Sequence, residues 1–123
     1  MAIILTAQTP PLPTPQDHTQ PGISVDTTLP TGAGSADDVT FTTYAAVKWY
    51  VTAFTTDAVR FFEVSAAAHA SRNPSYTMFG DVGDRLDISA EVVQTPGKIT
   101  LNIINNEAVD VNLTVVRSIA VVT

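Results

Sequence analysis

"RLDISAEVVQTPGKITLNII" (Arg85–Ile104) is the stretch that decides the fold class. Its first half alternates: Leu86, Ile88, Ala90 and Val92 fall on one side, and Arg85, Asp87, Ser89 and Glu91 on the other. Alternation of this kind is the mark of a strand with one buried face; a helix would bring its apolar residues together every third or fourth position. "TPGK" (Thr95–Lys98) follows, a Pro-Gly turn suited to type II, with Gly97 taking the positive φ which that turn requires. Ile99, Leu101 and Ile103 then resume the alternation. Two alternating runs joined by a tight turn predict an antiparallel hairpin.

The same grammar extends outward in both directions. In "AAVKWYVTAF" (Ala45–Phe54), Val47, Trp49, Val51 and Ala53 share one face, and Lys48, Tyr50 and Thr52 the other. "VRFFEVSAAAH" (Val59–His69) is ambiguous, because its alanines and the spacing of Val59, Phe62 and Ala66 suit a helix. Its β-branched and aromatic opening, and the alternation of Phe62, Val64 and Ala66, favour a strand. Pro74 ends the loop that follows. "YTMFGDVGD" (Tyr76–Asp84) reads as a short strand running into a Gly-rich turn. After the hairpin, "NNEA" turns the chain, and "VDVNLTVV" (Val109–Val116) closes the meander with Val109, Val111, Leu113 and Val115 inward. Short strands separated by regular turns, each with one polar and one apolar side, predict an all-β fold: an antiparallel β-sandwich, jelly-roll-like.

The beginning of the chain differs. "TPPLPTPQDHTQPG" (Thr9–Gly22) holds five of the eight prolines. Each proline lacks a backbone N–H and fixes φ, so this segment suits neither a helix interior nor a central strand. "LPTGAGSADD" (Leu29–Asp38) continues in small and polar residues. These stretches predict an extended Pro-rich N-terminal arm over residues 1–36 and a β-sandwich domain over 37–123. "AIIL" (Ala2–Leu5) then reads as a short apolar anchor able to add a strand to a neighbour's sheet edge. Ile3, Ile4 and Leu5 are the expected partner-binding residues, with Pro10, Pro11, Pro13 and Pro15 as a stiff spacer.

Charge narrows the function classes. The formal net charge is −6, and residues 1–40 contain Asp17, Asp26, Asp37 and Asp38 with no Lys or Arg. That balance argues against nucleic acid as a partner, since phosphate binding needs a basic face. It argues equally against anionic membranes. Charged residues make up only 15% of the chain, below the usual quarter or so, which suits a surface that meets other protein. There is no cysteine, so disulfides and thiolate chemistry are excluded. "MAIILTAQ" lacks the basic start of a signal peptide, and synthesis and folding in a cytoplasm are expected.

No catalytic constellation stands out. His18 and His69 are the two histidines, too few for a zinc site without carboxylates. "DVGDRLD" places Asp81, Asp84 and Asp87 near a Gly-rich turn, but the spacing fits no EF-hand loop and a solvated turn is the better reading. Nucleophile elbows, phosphate loops and paired zinc-binding histidines are missing. Glu63, Glu91 and Glu107 have no spacing that favours a carboxylate pair. "PPLP" (Pro10–Pro13) lacks a basic flank and reads as a polyproline spacer, and the "NLT" sequon at Asn112 carries little weight without a secretion signal. No enzyme activity, cofactor or metal is expected.

Taken together, "AVKWYVTAF", "FFEVSAAAH", "YTMFGDVGDRLDISAEV" and "KITLNIINNEAVDVNLTVVRS" resemble the small β-sandwich domains of tailed-bacteriophage virion structural proteins, of the capsid decoration and tail-fibre type. The resemblance lies in short Thr-, Val- and Asn-rich strands, few charges, no cysteine and an arm in front. It implies a virion protein made in the host cytoplasm, most simply a capsid decoration or cement protein. Such a protein would bind the major capsid protein or other virion proteins as a homo-oligomer, with a trimer the first expectation. A tail, neck or fibre component contacting the host receptor is the alternative within this class. A carbohydrate-binding module, using Tyr44, Tyr50 or Tyr76, is the alternative from another.

Overall fold

The computed structural model describes residues 23–123, which form eight strands and no helix. The central hairpin is as the alternation requires: β6 (Ile88–Thr95) pairs with β7 (Lys98–Asn105), and Gly97 turns between them with φ 83°. The ambiguous alanine-rich run is a strand, β4 (Val59–His69), paired along its whole length with β3 (Tyr44–Phe54). β5 (Ser75–Gly83) pairs with β4, and β8 (Val111–Val122) with β3.

Two strands lie where an arm was expected. β1 (Ile23–Leu29) pairs with β8, and β2 (Gly32–Thr40) with β7. Residues 23–36 therefore belong to the sandwich, and the boundary expected between 36 and 37 is corrected. The segment reads poorly as strand because β1 and β2 are edge strands. An edge strand needs a partner on one side alone, and its Gly, Ser and Asp residues do not have to fill a core.

The sheets are unequal. One has the order β1-β8-β3-β4-β5, the other β2-β7-β6, and every pairing is antiparallel. Pairing of β1 with β8 and of β2 with β7 sets the first two strands beside the last two in jelly-roll-like fashion, while β3-β4-β5 is a meander. The core lies between the sheets. Trp49, Val51, Phe62 and Val64 from the larger sheet meet Ile99, Leu101 and Ile103 from the smaller, all fully buried. Each such side chain contributes about 1.5–3 kcal/mol of burial.

Two polar contacts inside the core fix how the parts sit. The Trp49 indole N–H donates to Asp37 Oδ2 at 2.8 Å, tying β3 of one sheet to β2 of the other. Asn105 is fully buried; its Nδ2 donates to the carbonyls of Leu29 (3.0 Å) and Val109 (2.9 Å), and its Oδ1 accepts from Glu107 N–H at 2.8 Å. This fixes Val109 by its backbone within the turn ahead of β8. Val109 was expected inward; its side chain is 57% exposed, because the alternation starts only once the strand begins at Val111.

A chain lacking residues 1–22 should still unfold in a cooperative thermal transition, whereas one beginning at Ser35 loses β1 and the start of β2 and should fail to give one by circular dichroism. Trp49→Ala should lower stability by about 3–5 kcal/mol in urea unfolding, through the cavity it leaves.

Candidate assembly surface

β5 is an edge strand, hydrogen-bonded to β4 and to no strand on its other side among the described residues. All nine of its residues are exposed. Tyr76 and Met78 sit opposite Ala66 and Val64, on the core-facing side of the sheet. They are nevertheless 45% and 37% exposed, because three strands cannot cover five. Phe79 and Val82 point outward and are 41% and 61% exposed. From Asn73 to Gly80 the chain carries no charge.

The far end of β5 is tied down. A bulge falls between the pairs Glu63↔Phe79 and Phe61↔Val82. Gly80 takes φ 69° there, a conformation natural to glycine at a bulge. The extra residue turns Asp81 toward Arg60, whose Nε and Nη2 donate to its two carboxylate oxygens at 2.8 and 2.9 Å. Arg60 Nη1 donates to the carbonyls of Leu86 (2.8 Å) and Ile88 (2.9 Å). One guanidinium thus joins β4, β5 and the entry to β6 across both sheets. The hydrogen bond from Arg60 holds the Asp81 carboxyl below its ordinary value, and the same bond raises Arg60. Asp84 Oδ2 accepts the Val59 N–H at 2.9 Å, securing the turn beyond.

The other three edges are protected in the ways sheet edges usually are. β1 carries Asp26 and stops at Pro30, β2 carries Asp37 and Asp38 around a bulge, and β6 carries Glu91 and stops at Pro96. On β5 the guards lie at the two ends, Pro74 before it and the bulge with Asp81 beyond, and Ser75–Phe79 between them carries no charge.

The outer face beside this edge is aromatic and nearly neutral. Tyr50 and Phe61 stack with centroids 6.4 Å apart and rings 9° from parallel. Lys48 Nζ lies 5.9 Å from the Tyr50 centroid and 5.4 Å from that of Phe79, and pairs with Glu63 at 3.4 Å. At the end of the sheet where β5 starts, Tyr44, Ala46, Ala67 and Val121 line an apolar groove that reaches Ser75.

Of the residues singled out from sequence, Ile3, Ile4, Leu5, Pro10, Pro11, Pro13, Pro15 and His18 lie outside the described residues. His69 Nδ1 sits 2.9 Å from Ser71 Oγ. Asp81, Asp84 and Asp87 line one cleft with Arg60 but form no group able to hold a metal ion: the first two serve Arg60 and Val59, and Asp87 Oδ1 faces Asn106 Nδ2 at 3.5 Å. Glu63 pairs with Lys48, while Glu107 accepts the Asp87 N–H at 2.6 Å. Asn112 accepts from Thr28 Oγ1. Tyr44 and Tyr50 face outward from β3, whereas Tyr76 is on the opposite side of the same sheet, so the three tyrosines form no common platform. Sequence reasoning missed the open edge at β5. Its one signal was the uncharged run Asn73–Gly80, which looks the same in a covered strand.

No family model, curated protein or solved structure matches the chain.

Asp81 contributes through a depressed carboxyl. Its stabilisation is present above the ordinary value of 3.8 and is lost as pH falls through the depressed one. Asp81 is half exposed, so Asp81→Asn should cost less than about 1 kcal/mol at neutral pH. In urea titrations the variant and the parent should differ at pH 7, less so in high salt, and converge at pH values below the ordinary aspartate range.

Proposed function

We propose that this chain is a bacteriophage virion structural protein, a capsid decoration or cement protein that holds neighbouring subunits together on the shell. The observation that carries the reading is β5: an exposed edge strand, apolar and without charge from Ser75 to Gly80, beside an aromatic outer face. A bare edge of this kind is an aggregation hazard on a free monomer. It is retained where another chain covers it, which is the situation of an assembly subunit. The acidic, cysteine-free composition and the resemblance of the strands to virion sandwich domains support the same reading. In it the protein acts mechanically, by many modest contacts with the major capsid protein and with its own copies, and no side chain acts as a catalyst.

The test is copy number. Particles purified from cells producing the protein, quantified by mass spectrometry against the major shell protein, should carry it in hundreds of copies. A dozen or fewer copies would shift the assignment to a neck or tail component, and absence from particles would overturn the virion reading.

A further inference from the structure

We infer that residues 2–8 of one copy add as a sixth strand, antiparallel to β5 of a neighbouring copy, with Leu5 opposite Met78, and that the following prolines occupy the groove at Tyr44. This deepens the assembly reading and rests on it by naming the acceptor edge and the donor segment.

The donor is set by proline. A ladder strand needs its backbone N–H groups, and of the first 22 residues only Ala2–Thr9 run for more than five positions without a proline. That stretch is also uncharged, as is Ser75–Gly80 opposite it. The register is set by where the ladder must end. With Leu5 opposite Met78, Gln8 falls opposite Ser75, and Thr9 and Pro10 fall just past the first residue of β5. The same register sets Ile4 against Phe79, Thr6 against Thr77 and Ala7 against Tyr76. Ile4 and Phe79 then share the outer side. Leu5 and Ala7 cover Tyr76 and Met78, the core-facing residues that the smaller sheet leaves open.

The groove agrees with this direction. An antiparallel donor leaves β5 at Ser75, where the groove lined by Tyr44, Ala46, Ala67 and Val121 begins. A proline-rich segment docks naturally against an aromatic-lined apolar surface. Strand and spacer thus meet the edge and the groove in the order in which the sequence presents them.

The occupant comes from another copy. A sixth strand beside β5 would stand about 24 Å from β1 of the same molecule, five spacings of about 4.8 Å. The intervening residues 9–22, at a polyproline rise, reach about 43 Å. A spacer of that reach extends past its own molecule's edge and can bridge to a neighbour's.

The absence of cysteine makes the test clean. The full-length Leu5→Cys, Met78→Cys double variant, oxidised under mild conditions, should give disulfide-linked dimers and higher species. Leu5→Cys with Thr77→Cys, off register, should give far less. A linked monomer would overturn the exchange between copies, and no link in either variant would overturn the docking. Sedimentation supplies a measurement that needs no cysteine. Deleting residues 2–8, or placing a charge on the edge with Met78→Lys, should each move the mass toward that of the 13.0 kDa chain, while circular dichroism stays unchanged. Unchanged self-association in both variants would overturn the inference. These outcomes do not depend on particle copy number: exchange can hold with few copies per particle, and many copies can occur without exchange.

Discussion

The indole N–H of Trp49 is the constraint on which the sandwich turns. Trp49 is fully buried at the centre of the larger sheet, and its nitrogen can only donate. Leaving that donor unpaired would cost about 1–3 kcal/mol. The partner is Asp37, which the bulge between Ser35 and Asp37 sets opposite the buried Leu101. A carboxylate brought that far in needs its own partner. Arg117, directly across from Trp49 on β8, supplies one: its Nε lies 3.5 Å from Asp37 Oδ2, and its Nη1 donates to the Asp38 carbonyl at 3.0 Å. One buried nitrogen thereby recruits an acid and a base from two more strands. β2, with little apolar surface of its own, is held against the opposite sheet as a result.

Unequal sheets explain the rest of the surface. Three strands face five, so the core closes over β8, β3 and β4 and takes in Leu29 of β1, while β5 stays open. On its outer side β1 is polar, with Asp26 Oδ1 accepting from Thr114 Oγ1 at 2.8 Å. At β5 that side carries Phe79 and Val82. Arg60 reinforces one end of β5 by reaching both sheets, and Gly80 makes this possible by letting the strand bulge toward it. The result is an edge held firmly at one end and presenting bare backbone and apolar side chains along the remainder, which is the arrangement strand addition uses.

The sequence by itself determined the strands whose two faces differ. In β3, and in β6 and β7 up to Val92 and Ile103, every second residue is apolar, and burial of that set has one geometric solution. The positive φ of Gly97 and the burial of Trp49 follow from the same pattern. Only the tertiary structure decided the remainder. β1 and β2 are strands because β8 and β7 offer them backbone partners, a long-range condition that Gly32, Ser35 and Asp38 do not announce. Val109 is exposed because Asn105 ties its backbone into a turn. β5 is an edge because it ends the larger sheet, and its core-facing side is open because the facing sheet has fewer strands. A local pattern records which face of a strand is apolar; whether another strand covers that face, or pairs with its edge, depends on chain many residues away.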